Sequence, residues 1–329
     1  MKIKLSYIVI VLLGIIASVY FFSNSKGTLN KHESSFAVES IEKITEIQIK
    51  EGENTVFLKK ENNNWKVDGK YQVKEWNINN FLIAVNRLEI LTPVSKVENE
   101  QIKMLLEKDG IGVEFFSGKR RVKKYIVSKP SMNRSKTYML MNRSDQTFVV
   151  RIPSFKGLVS NLFVAKENYW RDKTVFNYLP QNIKNIITQY PANNAKSYKL
   201  INYNDGSFAL QTLSSEEFID DFKVDKAARF FTNFQNIHFN NVLSDIDRSV
   251  SDSILNSMPY AIVSVEDVEG VENSIKIFRK QAPNKLDEFG QKAEFDYNKA
   301  YGVLNNANEI ILIQYYIFDP ILKEIDYFR

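Results

Sequence analysis

The apolar runs of this chain come in the same order twice. Ile183 and Ile186 answer Ile44 and Ile47 at an offset of 139, and Phe208 in "DGSFAL" answers Trp65 in "NNNWKV" at 143. Ala228, Phe231, Phe234 and Ile237 follow Leu82, Val85, Leu88 and Leu91 at 146, and Ile254 and Leu255 follow Leu105 and Leu106 at 149. Val263 and Val265 match Val113 and Phe115 at 150, and "YGVLNNANEIILIQ" matches "YMLMNRSDQTFVVR" at 163, with Tyr301 on Tyr138 and Asn305 on Asn142. The offset only grows along the chain. A duplicated domain with loop insertions produces that pattern, whereas independent coincidences would scatter.

Each half reads as an antiparallel sheet of up to seven short strands with two helices inserted after the third. Alternation in "IGVEFF", "KKYIV" and "YAIVSVED" gives each sheet one buried and one wet face, and helices must cover the buried one. Ile78, Leu82, Val85, Leu88 and Leu91, spaced by three and four, predict the first helix over 77–91, and a second over 98–108 stops at Gly110. The expected fold class is therefore α+β, an N-terminal transmembrane helix followed by two tandem antiparallel-sheet domains. The expected boundaries are 1–22 for the anchor, 23–36 for a tether, 37–165 for the first repeat, 166–181 for a linker and 182–329 for the second repeat. "GIGVEF" lacks a third glycine and precedes a strand, which argues against a doubly wound nucleotide fold.

The anchor is "LSYIVIVLLGIIASVYFF", Leu5 to Phe22, eighteen uncharged residues after Lys2 and Lys4. As a helix it is about 27 Å long, enough for a hydrocarbon core. It is a membrane segment or a signal peptide, and its aromatic end, Tyr20 to Phe22, favours a retained anchor over a cleavage site. Lys2 and Lys4 place the N-terminus in the cytoplasm and the rest of a single-pass inner-membrane protein in the periplasm. The chain has no cysteine, so lipidated cysteine, disulfides, thiol catalysis and Cys-based zinc sites are excluded.

The run "FAVESIEKITEIQIKEGENTVFLKKENNNWKV", then "YQVKEWNINNFLIAVNRLEILTPV" and "YWRDKTVF", resembles the DUF4340 family of membrane-anchored bacterial envelope proteins. The marks are a strand pair closing on Trp65, the helix from Asn77 to Leu91, and the Arg171, Asp172 pair. The family is assigned no activity, and similar domains occur alongside auxiliary components of gliding-type ABC transport systems. The resemblance thus implies envelope partners and carries over no catalytic residue.

The residues themselves offer little chemistry. His32 falls in the tether and His238 in "NIHFNN", a surface or structural position. No H-E-x-x-H, G-x-S-x-G or cofactor fingerprint is present, so no cofactor or metal is implied. "DIDRSVSDSILN" fails as a calcium loop, with Val250 at the glycine position and Asn256 at the bidentate glutamate position; Ser244 or Asp245 reads instead as a helix cap, with Asp247 on the dipole. Trp65 reads as core, while Trp76 and Trp170 are open to a sugar-stacking role. The closing "IFDPILKEIDYF" and its counterpart "PSFKGLVSNLF" read as packed ends of the two halves.

The one distinctive patch is "GIGVEFFSGKRRVKKYIVSKP", where Lys119, Arg120, Arg121, Lys123 and Lys124 crowd a hairpin. Its twin, "AIVSVEDVEGVENSIKIF", carries Glu266, Asp267, Glu269 and Glu272 there instead. With 44 basic against 39 acidic residues, a net charge of +5, and the patch outside the cytoplasm, nucleic acid is excluded as a partner. Solvation of an edge, an anionic lipid or glycan, and an acidic protein surface remain. The expected function is a non-catalytic extracytoplasmic binding or scaffold subunit of an envelope complex. The alternatives are a carboxylate-based envelope hydrolase or glycan-processing enzyme and a glycan-binding module.

Overall fold

The computed structural model describes residues 12–18, 34–244, 246–282, 290, 293–305, 307 and 309–329. The chain is mixed α+β and divides into two compact units between Asp172 and Lys173. Of the expected anchor only 12–18 are described, and they are helical; the rest of it, and the tether up to residue 33, lie outside the described residues. Among the described residues no helix is long and apolar enough to cross a membrane.

The first unit is built from β1 (Glu46–Glu51), β2 (Asn54–Glu61), β3 (Asn64–Val67), β4 (Tyr71–Gln72), α1 (Glu75–Asn86), β5 (Glu89–Pro93), α2 (Lys96–Asp109), β6 (Ile111–Ser117), β7 (Arg120–Val127), β8 (Thr137–Met141), β9 (Thr147–Arg151) and the short α3 (Glu167–Trp170). Its strands form one antiparallel sheet in the order β4-β3-β2-β1-β6-β7-β8-β9-β5. The sheet has nine strands rather than the expected seven, because β4 has only two residues and β5 begins inside the stretch whose spacing prolongs the helix. Helix α1 ends at Asn86, and Leu91, expected on the helix, lies exposed on β5.

Helix α1 sets Ile78, Phe81, Leu82 and Val85 into a core with Ile47, Ile49, Val113, Phe115, Tyr125 and Val127. The opposite face is not uniformly wet. Helix α2 buries Leu106 there, near the buried Leu140 and Val149. Buried Asn99 fastens it: Oδ1 accepts from Thr147 N (2.8 Å) and Thr147 Oγ1 (2.7 Å), and Nδ2 donates to Asp145 O (2.7 Å). Residues 166–181, expected as a linker, supply a side chain to each core. Trp170 is fully buried in the first, its Nε1 donating to Val164 O (2.7 Å), and Phe176 is buried in the second.

The second unit comprises β10 (Thr174–Phe176), β11 (Ile183–Gln189), β12 (Tyr198–Asn202), β13 (Phe208–Thr212), β14 (Phe218–Ile219), α4 (Val224–Thr232), β15 (Ile237–His238), β16 (Asn241–Val242), α5 (Arg248–Leu255), β17 (Ala261–Asp267), β18 (Glu272–Gln281), β19 (Phe295–Leu304), β20 (Ile311–Gln314) and α6 (Tyr315–Phe318). Its sheet order, β14-β13-β12-β11-β17-β18-β19-β20-β16, repeats the first strand for strand. A ribbon of β10 and β15 is added. Registers fix the correspondence: Ile47 faces Phe115 as Ile186 faces Val265, and Tyr138 faces Val149 as Tyr301 faces Leu312.

The helix register differs from the sequence reading. Lys74 N donates to Trp170 O and Lys223 N to Phe328 O, while Val38 N donates to Val85 O and Tyr178 N to Phe234 O. Ile78, Phe81, Leu82 and Val85 therefore match Ala227, Phe230, Phe231 and Phe234 at an offset of 149, not 146. Phe81 meets Trp170 edge-on at 5.2 Å as Phe230 meets Phe328 at 5.3 Å. That pair sets an offset of 158, so the offset falls again after 163: the second unit closes its core over a shorter C-terminal segment. Asp247 rather than Ser244 holds the N-cap position of helix α5, without a side-chain cap hydrogen bond, and Asp245 is outside the described residues.

Candidate functional site

The basic hairpin is β6–β7, turning at Ser117 to Arg120 with Gly118 at φ 57°, a left-handed conformation that glycine adopts without a Cβ clash. Glu114 faces Lys124 and Phe115 faces Lys123, but Phe116 faces Arg121, so Val122 is the extra residue of a β-bulge. The bulge brings Arg121 onto the face of Lys124, and both reach Glu114, at 2.9 Å and 2.8 Å. Burial works to raise the Glu114 pKa, but the hydrogen bonds from Lys124 and Arg121 outweigh it and hold the carboxyl below the ordinary glutamate range. Lys123 lies on the helix-covered face with Tyr125; its Nζ donates to Ser35 O (2.6 Å), and burial lowers its pKa against the pull of Glu39. Lys119 and Arg120 stay exposed at the tip, with no carboxylate in ion-pair range among the described residues. The five cations are thus three separate arrangements, and two of the residues form the outward display.

The twin hairpin, β17–β18, repeats the burial alternation of 111–128 residue for residue over 261–278. Asn273 stands where Lys123 does and also reaches the segment before the first strand, donating to Tyr178 Oη. Glu266 is pinned by Lys184 Nζ (2.6 Å) and Asn185 Nδ2 (2.5 Å), whose hydrogen bonds lower its pKa. Asp267 Oδ1 accepts from Glu269 N and Val271 N inside the turn. Glu269 and Glu272 are exposed. Here too, two charges of one sign face outward.

The units differ most where the second helix meets the sheet. Helix α2 has 14 residues and runs straight into Gly110; a Cβ there would lie 2.4 Å from Leu106 O and 2.3 Å from Ile126 Cγ2. Helix α5 has 8 residues and stops at Leu255, so Tyr260 can occupy the place of Gly110. The space left is a cleft of about 870 Å³ bordered by Tyr190, Ser253, Ile254, Met258, Tyr260 and Arg279. The Arg279 guanidinium lies 4.3 Å from the Tyr260 ring centre and 5.2 Å from that of Phe295. Lys196 and Glu324, also on the wall, pair at 2.7 Å. Tyr190, 3% exposed, packs edge-on to Tyr260, and its buried hydroxyl has no hydrogen-bond partner.

The other residues singled out in the sequence stay apart. His238 is exposed on β15 opposite Thr174. Trp170 is core and unavailable for stacking, Trp76 is 70% exposed on α1, and Trp65 packs half-buried against the first core. Arg171, a mark of the family resemblance, is buried with its guanidinium 3.5 Å over the Tyr71 ring, a structural clamp on β4. The cleft escaped the sequence reading, although laying the halves together at an offset of 150 sets Arg279 on Lys129 and Tyr260 on Gly110. No family model, curated protein or solved structure matches the chain.

Proposed function

We propose that the chain is a non-catalytic binding or scaffold subunit of a bacterial envelope complex, derived by tandem duplication and held at the inner membrane by Leu5–Phe22 with both units in the periplasm. The observation that supports this reading is the hairpin pair. The burial pattern is kept while the turn is rebuilt: Ser117 pairs with Arg120 around Gly118 above a bulge in one unit, and Glu266 pairs with Glu272 without a bulge in the other; the outward charges are Lys119 and Arg120 against Glu269 and Glu272. A scaffold kept constant beneath a tip of changed sign is how one fold is fitted to different partner surfaces, since exposed charges set specificity and association rate. The occupants that fit are acidic and basic faces of neighbouring envelope proteins, including transport components of the kind the family resemblance implies.

Affinity capture of the tagged full chain from detergent extract tests it. Inner-membrane proteins co-purify with the wild type, and Lys119→Gln with Arg120→Gln lowers their recovery at low salt by about two- to tenfold, the worth of two exposed charges. A chain that purifies alone, or associations indifferent to both tips and to salt, would overturn the reading.

A further inference from the structure

The cleft of the second unit has a built-in control in the first. At the place of Arg279 the first unit has Lys129, whose ammonium is neutralised by Asp109 at 2.6 Å and Glu51 at 3.7 Å. The strand registers set Tyr190 where Glu51 stands and Pro259 where Asp109 stands. Both carboxylates have been exchanged for groups without charge, and the cation has become an arginine. Among the described residues Arg279 has no ion-pair partner. The remaining wall charges among the described residues, Lys196 and Glu324, cancel each other, and Arg279 is left as the net positive charge.

The chemistry is that of an oxyanion receptor. An arginine held over aromatic rings has its fork of N–H donors restrained for a carboxylate or phosphate, and it gives up less freedom on binding than an unsupported side chain. Burying a hydroxyl without a partner is unfavourable, and Tyr190, a residue of the cleft wall, carries such a hydroxyl, closed to solvent and unpaired until a ligand oxygen reaches it. Ser249 and Ser253, one turn apart on α5, add hydroxyls, and half-buried Ile254 and exposed Met258 add apolar surface along the cleft. The volume is that of a small-molecule site. We propose that this cleft binds a small ring-bodied acid, its carboxylate or phosphate paired with Arg279 and its hydroxyls with Tyr190 and the α5 serines. The proposal is independent of the hairpin reading.

Calorimetry on the detergent-solubilised full chain, with glucuronate and glucose 6-phosphate as the acidic probes and glucose as the uncharged one, tests this. At least one acid binds and glucose does not, and whichever acid binds more tightly identifies the carboxylate or the phosphate as the natural group. Arg279→Gln weakens the acid by about tenfold or more, and Arg279→Lys, which keeps charge without the fork, falls between. Tyr190→Phe weakens binding without lowering the melting temperature. Lys129→Gln and the Lys119→Gln, Arg120→Gln pair leave binding unchanged, which separates this site from the hairpin tips. Binding of neither acid at about 10 mM, a generous bound for a specific site, overturns the proposal, as does equal binding of glucose or acid binding indifferent to Arg279→Gln.

Discussion

Glu114 decides how much of the basic hairpin faces outward, because it takes Arg121 and Lys124 out of the patch. The pair is half-exposed, so its worth is modest: Glu114→Gln is expected to cost about 1 kcal/mol in urea unfolding. Its pKa is lowered on folding, so the stabilisation is present above the ordinary glutamate range and is lost as pH falls through the depressed native value. The difference between wild type and Glu114→Gln should therefore shrink in acid, and a difference constant down to strong acid would rule out the ion pairs as its source. Asn99 carries a larger share. Removing its amide leaves Thr147 N–H and Asp145 C=O unpaired beneath α2, so Asn99→Ala is expected to cost about 2–3 kcal/mol by the same measurement. Lys123 is tied to Ser35 in a partly buried position, so its substitution should lower stability and leave partner capture unchanged.

Among the elements, the second helix is where the two units differ most. Helix α2 fills its side of the sheet to Gly110, and Gly110→Ala should destabilise the first unit by about 2–3 kcal/mol, since one of the two nearest atoms is a backbone carbonyl oxygen. Gly118→Ala, strained only through its φ, should cost about 1 kcal/mol; equal effects would contradict the packing difference. The strands were legible because period-two alternation is direct: the offsets of 139, 143, 150 and 163 are those of the registers. Helix α1 was extended too far because Leu88 and Leu91 prolong its spacing by coincidence, although the chain has already left the helix at Arg87 and turned into β5. For the site, the hairpins and their reversed charges were legible as composition. The bulge at Val122 was not, since a bulge changes pairing without changing residue type. Nor was the cleft, which exists because residues of a helix are missing and shows only when one half is laid on the other.

At the scale of the whole chain, each unit holds its own core and its own closed set of strands. Fragments 34–172 and 173–329 should each fold alone with cooperative melting; a fragment without it would show that the cores are not autonomous. In the intact chain Trp170→Ala, which empties a fully buried site, should weaken the first unit by about 3–5 kcal/mol and leave the second transition in place. Repetition also has a kinetic side. Strand β1 must wait for β6, which arrives only after α1, β5 and α2, and β11 waits for β17 in the same way. During that wait β1 and β11 present equivalent apolar faces, so each can capture the other's partner. Synthesis from the N-terminus lets the first sheet close before the rival strands emerge. Refolding from denaturant offers all of them at once, so the full chain should recover with lower yield than its two fragments refolded apart. Repetition thus makes the order in which the chain emerges part of what specifies its native pairing.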